Sequence, residues 1–252
     1  MNKTADEAIE FAKAVKDMPI GKVEAVVCPP FISILALSRE FRNSGIKVGA
    51  QNVFYEDNGT FTGEVSPPMI KDFCEYVIVG HSERRTVFGE TDEIASRKAA
   101  GVLKHGMRPI VCVGETREER VSGKTEESIE AHVRGSLKGI NSDNIVKTAI
   151  AYEPLWAISR GTGDTKTKPA MPGDAEAAHV FIRKVIADMY GCSAAGKVRI
   201  IYGGSIKPEN IAQFTSMNNI DGALVGGASL DPISFRGLVN NAQNRPWERD
   251  EE

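Results

Sequence analysis

The chain has few aromatic residues, 7% of 252, and only four cysteines. Cys28, Cys74, Cys112 and Cys192 are scattered, with no C-x-x-C pair and no clustered histidines. That spacing gives no disulfide framework and no metal site, and small reduced core residues are expected instead. No apolar run approaches the roughly 20 residues of a membrane span. Met1–Glu10 is polar and acidic, without the apolar stretch of a signal peptide. A cytoplasmic protein with no membrane partner is therefore expected. The net charge is only −3, so no strong field favours nucleic acid or acidic lipid. An anionic substrate would have to meet a locally positive site built from backbone N–H groups or a few Lys and Arg. There is no fixed repeat period, no G-x-G-x-x-G after an early strand and no compositional break. One domain over residues 1–242 is expected, with a charged, frayed tail over Gln243–Glu252.

What is present alternates. Thr4 and Glu7 form a capping-box pair at the start of a helix carrying Ala8, Ile9, Ala12 and Val15 at helical spacing. Seven short apolar runs then read as strands: Val23–Cys28, Ile46–Gln51, Tyr76–Gly80, Pro109–Val113, Thr148–Tyr152, Val198–Tyr202 and Ala223–Val225. Helical patterns separate them, over Ile32–Arg42, Pro68–Phe73, Asp92–His105, Lys124–Leu137, Ala175–Tyr190, Pro208–Thr215 and Pro232–Asn241. Near-continuous apolar strands between helices imply a parallel sheet covered on both faces. An open doubly wound sheet and a (β/α)8 barrel both fit. Polar punctuation at many strand ends favours the barrel, whose functional groups gather on one rim, and a length near 250 residues suits it. The expected fold is thus α/β, a (β/α)8 TIM barrel with seven visible strands and the first apparently missing, since the chain opens on a helix.

Four strand ends carry chemistry. Ala149–Ile158 ends a buried run on Glu153, followed by Pro154-Leu155-Trp156 and a Gly-, Thr- and Lys-rich segment. A carboxylate there is placed as a general base under a lid. Gly80-His81-Ser82-Glu83-Arg84-Arg85 puts a histidine at another strand end among charges, able to move a proton near neutral pH. His105, His132 and His179 fall in helical patterns and are expected to be structural. Gly203-Gly204-Ser205 and Val225-Gly226-Gly227 close two late strands, where barrels often hold phosphate on backbone N–H groups. No Walker lysine follows them. Together these groups suit proton abstraction beside a carbonyl on a small phosphorylated substrate, with no cofactor. The long loop Asn52–Ser66 suggests a binding or partner contact.

Cys28-Pro29-Pro30, Gly49–Asn52, Phe61–Glu64, Val79–Arg85, Cys112–Thr116, Ala151–Ile158, Tyr202–Ser205 and Val225–Gly227 are, in number and order, similar to the motifs of the triosephosphate isomerase family. The resemblance implies an isomerase of glycolysis and gluconeogenesis that interconverts dihydroxyacetone phosphate and glyceraldehyde 3-phosphate through an enediolate. It implies Glu153 as base, His81 as electrophile, Ser82 and Glu83 in support, and Ser205, Gly226, Gly227 and Gly161 as substrate-binding groups. It also implies a homodimer contacted through Thr62 near the tip of the long loop, and a lid hinged at Pro154-Leu155-Trp156. Two departures stand out. The family begins with a strand ending in Asn-x-Lys, and Met1-Asn2-Lys3-Thr4 resembles the residues just after it, so weakened activity is expected, the alternative being a truncated, catalytically weak or inactive barrel that binds phosphorylated ligands or a partner. The family lid reads Ala-Ile-Gly-Thr-Gly-Lys, whereas Ala157-Ile158 is followed here by Ser159-Arg160 before Gly161, so Gly161 matches by motif and Ser159 by direct count.

Overall fold

The computed structural model describes residues 1–158 and 170–242. The chain enters α1 (Ala5–Val15) under a complete Thr4–Glu7 capping box and buries Ala8, Phe11, Ala12 and Val15 on one face. β1 (Val26–Val27), α2 (Phe31–Glu40), β2 (Lys47–Ala50), α3 (Pro67–Ile70) and β3 (Tyr76–Val79) follow. Then come α4 (Ser82–Phe88), α5 (Asp92–Lys104), β4 (Arg108–Val113), α6 (Arg117–Val121), α7 (Thr125–Ser136), α8 (Ser142–Ile145) and β5 (Ala149–Tyr152). The last third holds α9 (Pro172–Tyr190), α10 (Cys192–Lys197), β6 (Arg199–Tyr202), α11 (Ile211–Thr215), a 3-10 turn at Gly227–Ser229 and α12 (Pro232–Ala242).

The strands pair in parallel in the order β1-β2-β3-β4-β5-β6. β3 and β5 are buried at every position, which is why they read as unbroken apolar runs rather than alternating ones. Helices cover the outer face. A smaller apolar cluster of Tyr76, Ile78, Ile110, Cys112, Ala149 and Ala151 fills the inner one. The six strands curl into a half-barrel, as side chains at their starting ends show. Glu24, just ahead of β1, accepts from Tyr76 Oη at 2.8 Å and pairs with Lys47 at 2.7 Å and with Arg199 at the start of β6. The first and last strands therefore share a carboxylate across the concave side.

Two expectations change. Six strands form among the described residues, not seven, and they do not close a barrel. Ala223–Val225 meets β6 through a single bridge, Tyr202 to Ala223, held by Tyr202 N–H to Gly222 C=O and Leu224 N–H to Tyr202 C=O, both 2.9 Å. An apolar run alone does not make a strand. It needs a ladder, and this one turns away at Gly226 into the 3-10 turn. β1 is likewise two residues long where six were expected, since among the described residues only β2 pairs with it. Between β1 and Ala223 the half-barrel opens into a cavity of about 2460 Å³.

Candidate active site

β3 ends at Val79, and Gly80, at φ +65°, turns the chain so that His81 stands at the N-cap of α4. The N–H of Glu83 donates to His81 Nδ1 at 3.3 Å. A backbone N–H can only donate, so Nδ1 must accept and, in the neutral ring, the proton sits on Nε2. That nitrogen lies 2.9 Å from Glu153 Oε1. Glu153, 3% exposed just past β5, accepts from the Ser82 N–H at 2.9 Å through its other oxygen. Both carboxylate oxygens thus rest on the turn that carries the imidazole. Burial works against the imidazolium, but the Glu153 carboxylate outweighs it and holds the His81 pKa above its ordinary value. Glu83 itself is exposed, its carboxylate 4.0 Å from Nδ1.

Two glycines make room for this pair. A Cβ on Gly114, after β4, would stand 1.9 Å from the Glu153 carbonyl oxygen. One on Gly203, after β6, would stand 2.8 Å from Glu153 Cγ. Gly203 therefore serves the carboxylate's packing, and Gly204 is pressed against the Tyr202 hydroxyl. The Gly203 N–H itself donates to Tyr152 C=O at 2.7 Å. Gly226 and Gly227, by contrast, face open space, and the 3-10 turn starts at Gly227. His81, Glu153, Ser205, Gly226 and Gly227 all line the one cavity. Ser205 Oγ donates to Ala157 C=O at 3.1 Å, tying the late strand end to the segment beyond Glu153.

A family model described as triosephosphate isomerase matches residues 1–242. A triosephosphate isomerase of Finegoldia magna is 51% identical over 243 residues, 95% of this chain and 94% of that one. Those of Dictyoglomus thermophilum and Moorella thermoacetica are each 48% identical, over 96% of both chains. The chain belongs to the triosephosphate isomerase family.

For a member of this family, the residues that sequence reasoning passed over are informative. Glu115, after β4, is fully buried. It accepts from Trp156 Nε1 at 2.9 Å and Tyr152 Oη at 3.1 Å, with Arg120 at 3.6 Å and stacked 4.1 Å over the indole. Burial raises the Glu115 pKa despite these donors. The anchor fixes the segment that leaves Glu153 and could be suspected from a carboxylate in Gly114-Glu115-Thr116 at a strand end. Cys112 lies beneath Glu153, and burial, then that carboxylate, push its thiol well above its ordinary value. Arg85 joins two strand ends by donating to Gly80 C=O at 2.7 Å and Cys112 C=O at 3.1 Å.

The loop 52–66 is built from its own side chains. Phe54 stacks on Tyr55 and packs against Phe61, and Phe54 N–H donates to Val65 C=O at 2.8 Å. Asp57 accepts from His105 and Lys104 at 2.7 and 2.5 Å, and Arg97 covers Tyr55 at 3.7 Å. Thr62 is exposed at its tip. The other histidines are structural: His132 pairs with Asp92, and buried His179 contacts Ala175 C=O, its pKa lowered by burial to about 4. Ser159 and Gly161 lie outside the described residues. No described helix is long and apolar enough to cross a membrane.

Proposed function

We propose that the chain interconverts dihydroxyacetone phosphate and glyceraldehyde 3-phosphate. The observation that carries this is the pairing of His81 Nε2 with Glu153 Oε1 at 2.9 Å, the second carboxylate oxygen held by Ser82 N–H. A Glu base opposite an imidazole that donates while neutral is the pairing for which triosephosphate isomerases are themselves the reference case. Glu153 takes the carbon-bound proton and becomes the acid. The electrons move into the carbonyl, whose oxygen, now the enediolate's, accepts from His81 Nε2–H. The imidazole passes protons between the two oxygens, and Glu153 returns its proton to the neighbouring carbon. No redox partner or cofactor enters the balance.

In this reading Ser205, Gly226, Gly227 and, in the lid, Gly161 hold the phosphate, and Ser82 and Glu83 keep the imidazole and carboxylate in register. Gly226 and Gly227 suit an anion because nothing crowds them and a 3-10 turn begins there. Residues 1–242 act as one α/β domain in a cytoplasmic homodimer, with Thr62 at the end of a self-packed loop reaching the partner. Following glyceraldehyde 3-phosphate by NMR tests the reaction. Formation of dihydroxyacetone phosphate in proportion to the chain is expected, and no conversion above the buffer rate would overturn it.

A further inference from the structure

The ladder between β3 and β4 runs in register from Tyr76 and Arg108 to Val79 and Val111. The next two residues in that register are Gly80 and Cys112. Gly80, at φ +65°, leaves the strand to place His81, so this pair lies past the end of the ladder. The Arg85 guanidinium spans it. Nε donates to Gly80 C=O at 2.7 Å and Nη2 to Cys112 C=O at 3.1 Å. A Cβ on Gly80 would stand 2.9 Å from Nη2, so the turn is closed down onto the guanidinium. The main-chain N–H of Arg85 also donates to His81 C=O at 3.1 Å. One residue thus holds the carbonyls on both sides of the His81 α-carbon, and with them the direction in which the imidazole leaves the backbone.

The strand end gripped on the far side is the one that carries Glu153. Next after Cys112, Val113 C=O accepts from Glu153 N–H at 2.8 Å, and Gly114 then presses on the Glu153 carbonyl. The outer side of the guanidinium is fixed as well. Nη1 donates to Asp92 Oδ1 at 2.6 Å and Nη2 to Ser136 Oγ at 2.9 Å. Ser136 and His132, both on α7, reach the same Asp92 oxygen at 3.0 and 2.9 Å. All three guanidinium nitrogens are engaged, and the side chain is 14% exposed.

We infer that Arg85 is a positioning residue of this site, whose guanidinium replaces the missing rung of the ladder and sets the spacing between the His81 turn and the strand end that carries Glu153. The inference rests on the reaction proposed above. Arg85 acts through the backbone that carries the two reacting groups. A lysine keeps the charge beside Asp92, but a single nitrogen cannot fork between two carbonyls as the planar guanidinium does. The groups proposed to hold the phosphate stand past β6 and at the 3-10 turn, on other strand ends. Loss of the fork is therefore expected in kcat and not in KM.

The experiment compares Arg85→Lys with the parent chain by steady-state kinetics, thermal melting and NMR titration of the His81 imidazole without substrate. The control is Ser96→Ala, which breaks a 2.6 Å bond from α5 to Lys138 C=O without touching the guanidinium. Arg85→Lys is expected to lower kcat about 100-fold, the effect of a shift of about 1 Å in a reacting group, with KM within about twofold. The His81 titration should move down as its approach to Glu153 loosens. Ser96→Ala should melt earlier with the parent's kcat and His81 titration. Should Arg85→Lys fail to fold, the same readouts on Asp92→Asn decide, with a smaller loss of kcat and a His81 shift in the same direction expected. An unmoved His81 titration, a kcat within about twofold of the parent, or an equal loss in Ser96→Ala would overturn the inference. The titration needs no turnover, so a parent chain without isomerase activity would refute the reaction and leave this test standing.

Discussion

His81 Nε2 stands 2.9 Å from Glu153 Oε1 while Nδ1 accepts from the Glu83 N–H, so the ring and the carboxylate hold one another in a single orientation. The carboxylate is what keeps the His81 pKa above its ordinary value, because burial alone pulls the other way. Replacing Glu153 with Gln is therefore expected to lower the pKa of His81, followed by NMR titration of the imidazole. The sign follows from the linkage. A raised His pKa means the pair stabilises the fold below the unfolded value and loses that contribution as pH climbs through the folded one. A titration unchanged in Glu153→Gln would show that the pair does not set it.

Gly114 approaches Glu153 so closely that a methyl group cannot be admitted without moving the strand end. Gly114→Ala is expected to cost about 1–3 kcal/mol of stability as an overpacked core site. It should also cost on the order of 100-fold in turnover, since a shift of about 1 Å in a reacting group has that effect. Melting and turnover on the same sample check it, and wild-type turnover would contradict the placement.

Trp156 donates its indole N–H to a carboxylate with no exposed surface. Trp156→Phe keeps an aromatic ring but removes the donor, leaving Glu115 with the Tyr152 hydroxyl and the more distant Arg120. A loss of about 1–3 kcal/mol is expected, the cost of taking one of its two close donors from a buried charged acceptor. The Glu115 pKa should also rise further. Denaturant unfolding of both proteins measures the first.

Glu24 is the charge that links β1 to β6. Burial opposes its ionisation, but Lys47, Arg199 and Tyr76 prevail and lower its pKa from 4.5 to about 2. A depressed carboxylate contributes stability that is present above its unfolded pKa and lost as pH falls through the folded one. Glu24→Gln is expected to destabilise the chain by about 1–2 kcal/mol at neutral pH, after allowing for solvent screening of a half-exposed group. The difference should shrink between about pH 4.5 and 2. Melting across that range tests it, and a deficit that does not shrink as pH falls would contradict it.

The five strands from β2 to β6 were legible because each is an apolar run ended by polar residues, and the periodic helices α1, α5, α7 and α9 because each buries one face. α4 was not legible. Its Val87 and Phe88 are exposed, it has no apolar face, and its cap is His81 rather than a Ser, Thr, Asp or Asn. α6 has a readable Thr116–Glu119 capping box but buries none of its residues. The failure at Ala223–Val225 is of another kind, because strand formation there depends on a neighbour and not on the run itself. In the site, Glu153 and His81 could be picked out as polar groups closing apolar strands. The roles of Gly114 and Gly203 could not, because only distances of approach distinguish a glycine that clears a carboxylate from one that closes a turn.

The central claim is that Glu153 removes the carbon-bound proton, and the rate of Glu153→Gln on glyceraldehyde 3-phosphate tests it most directly. The account predicts a fall of about 100- to 10,000-fold, the usual worth of a positioned general base, in a variant whose circular dichroism matches that of the parent. Turnover within a few-fold of the parent chain would contradict it.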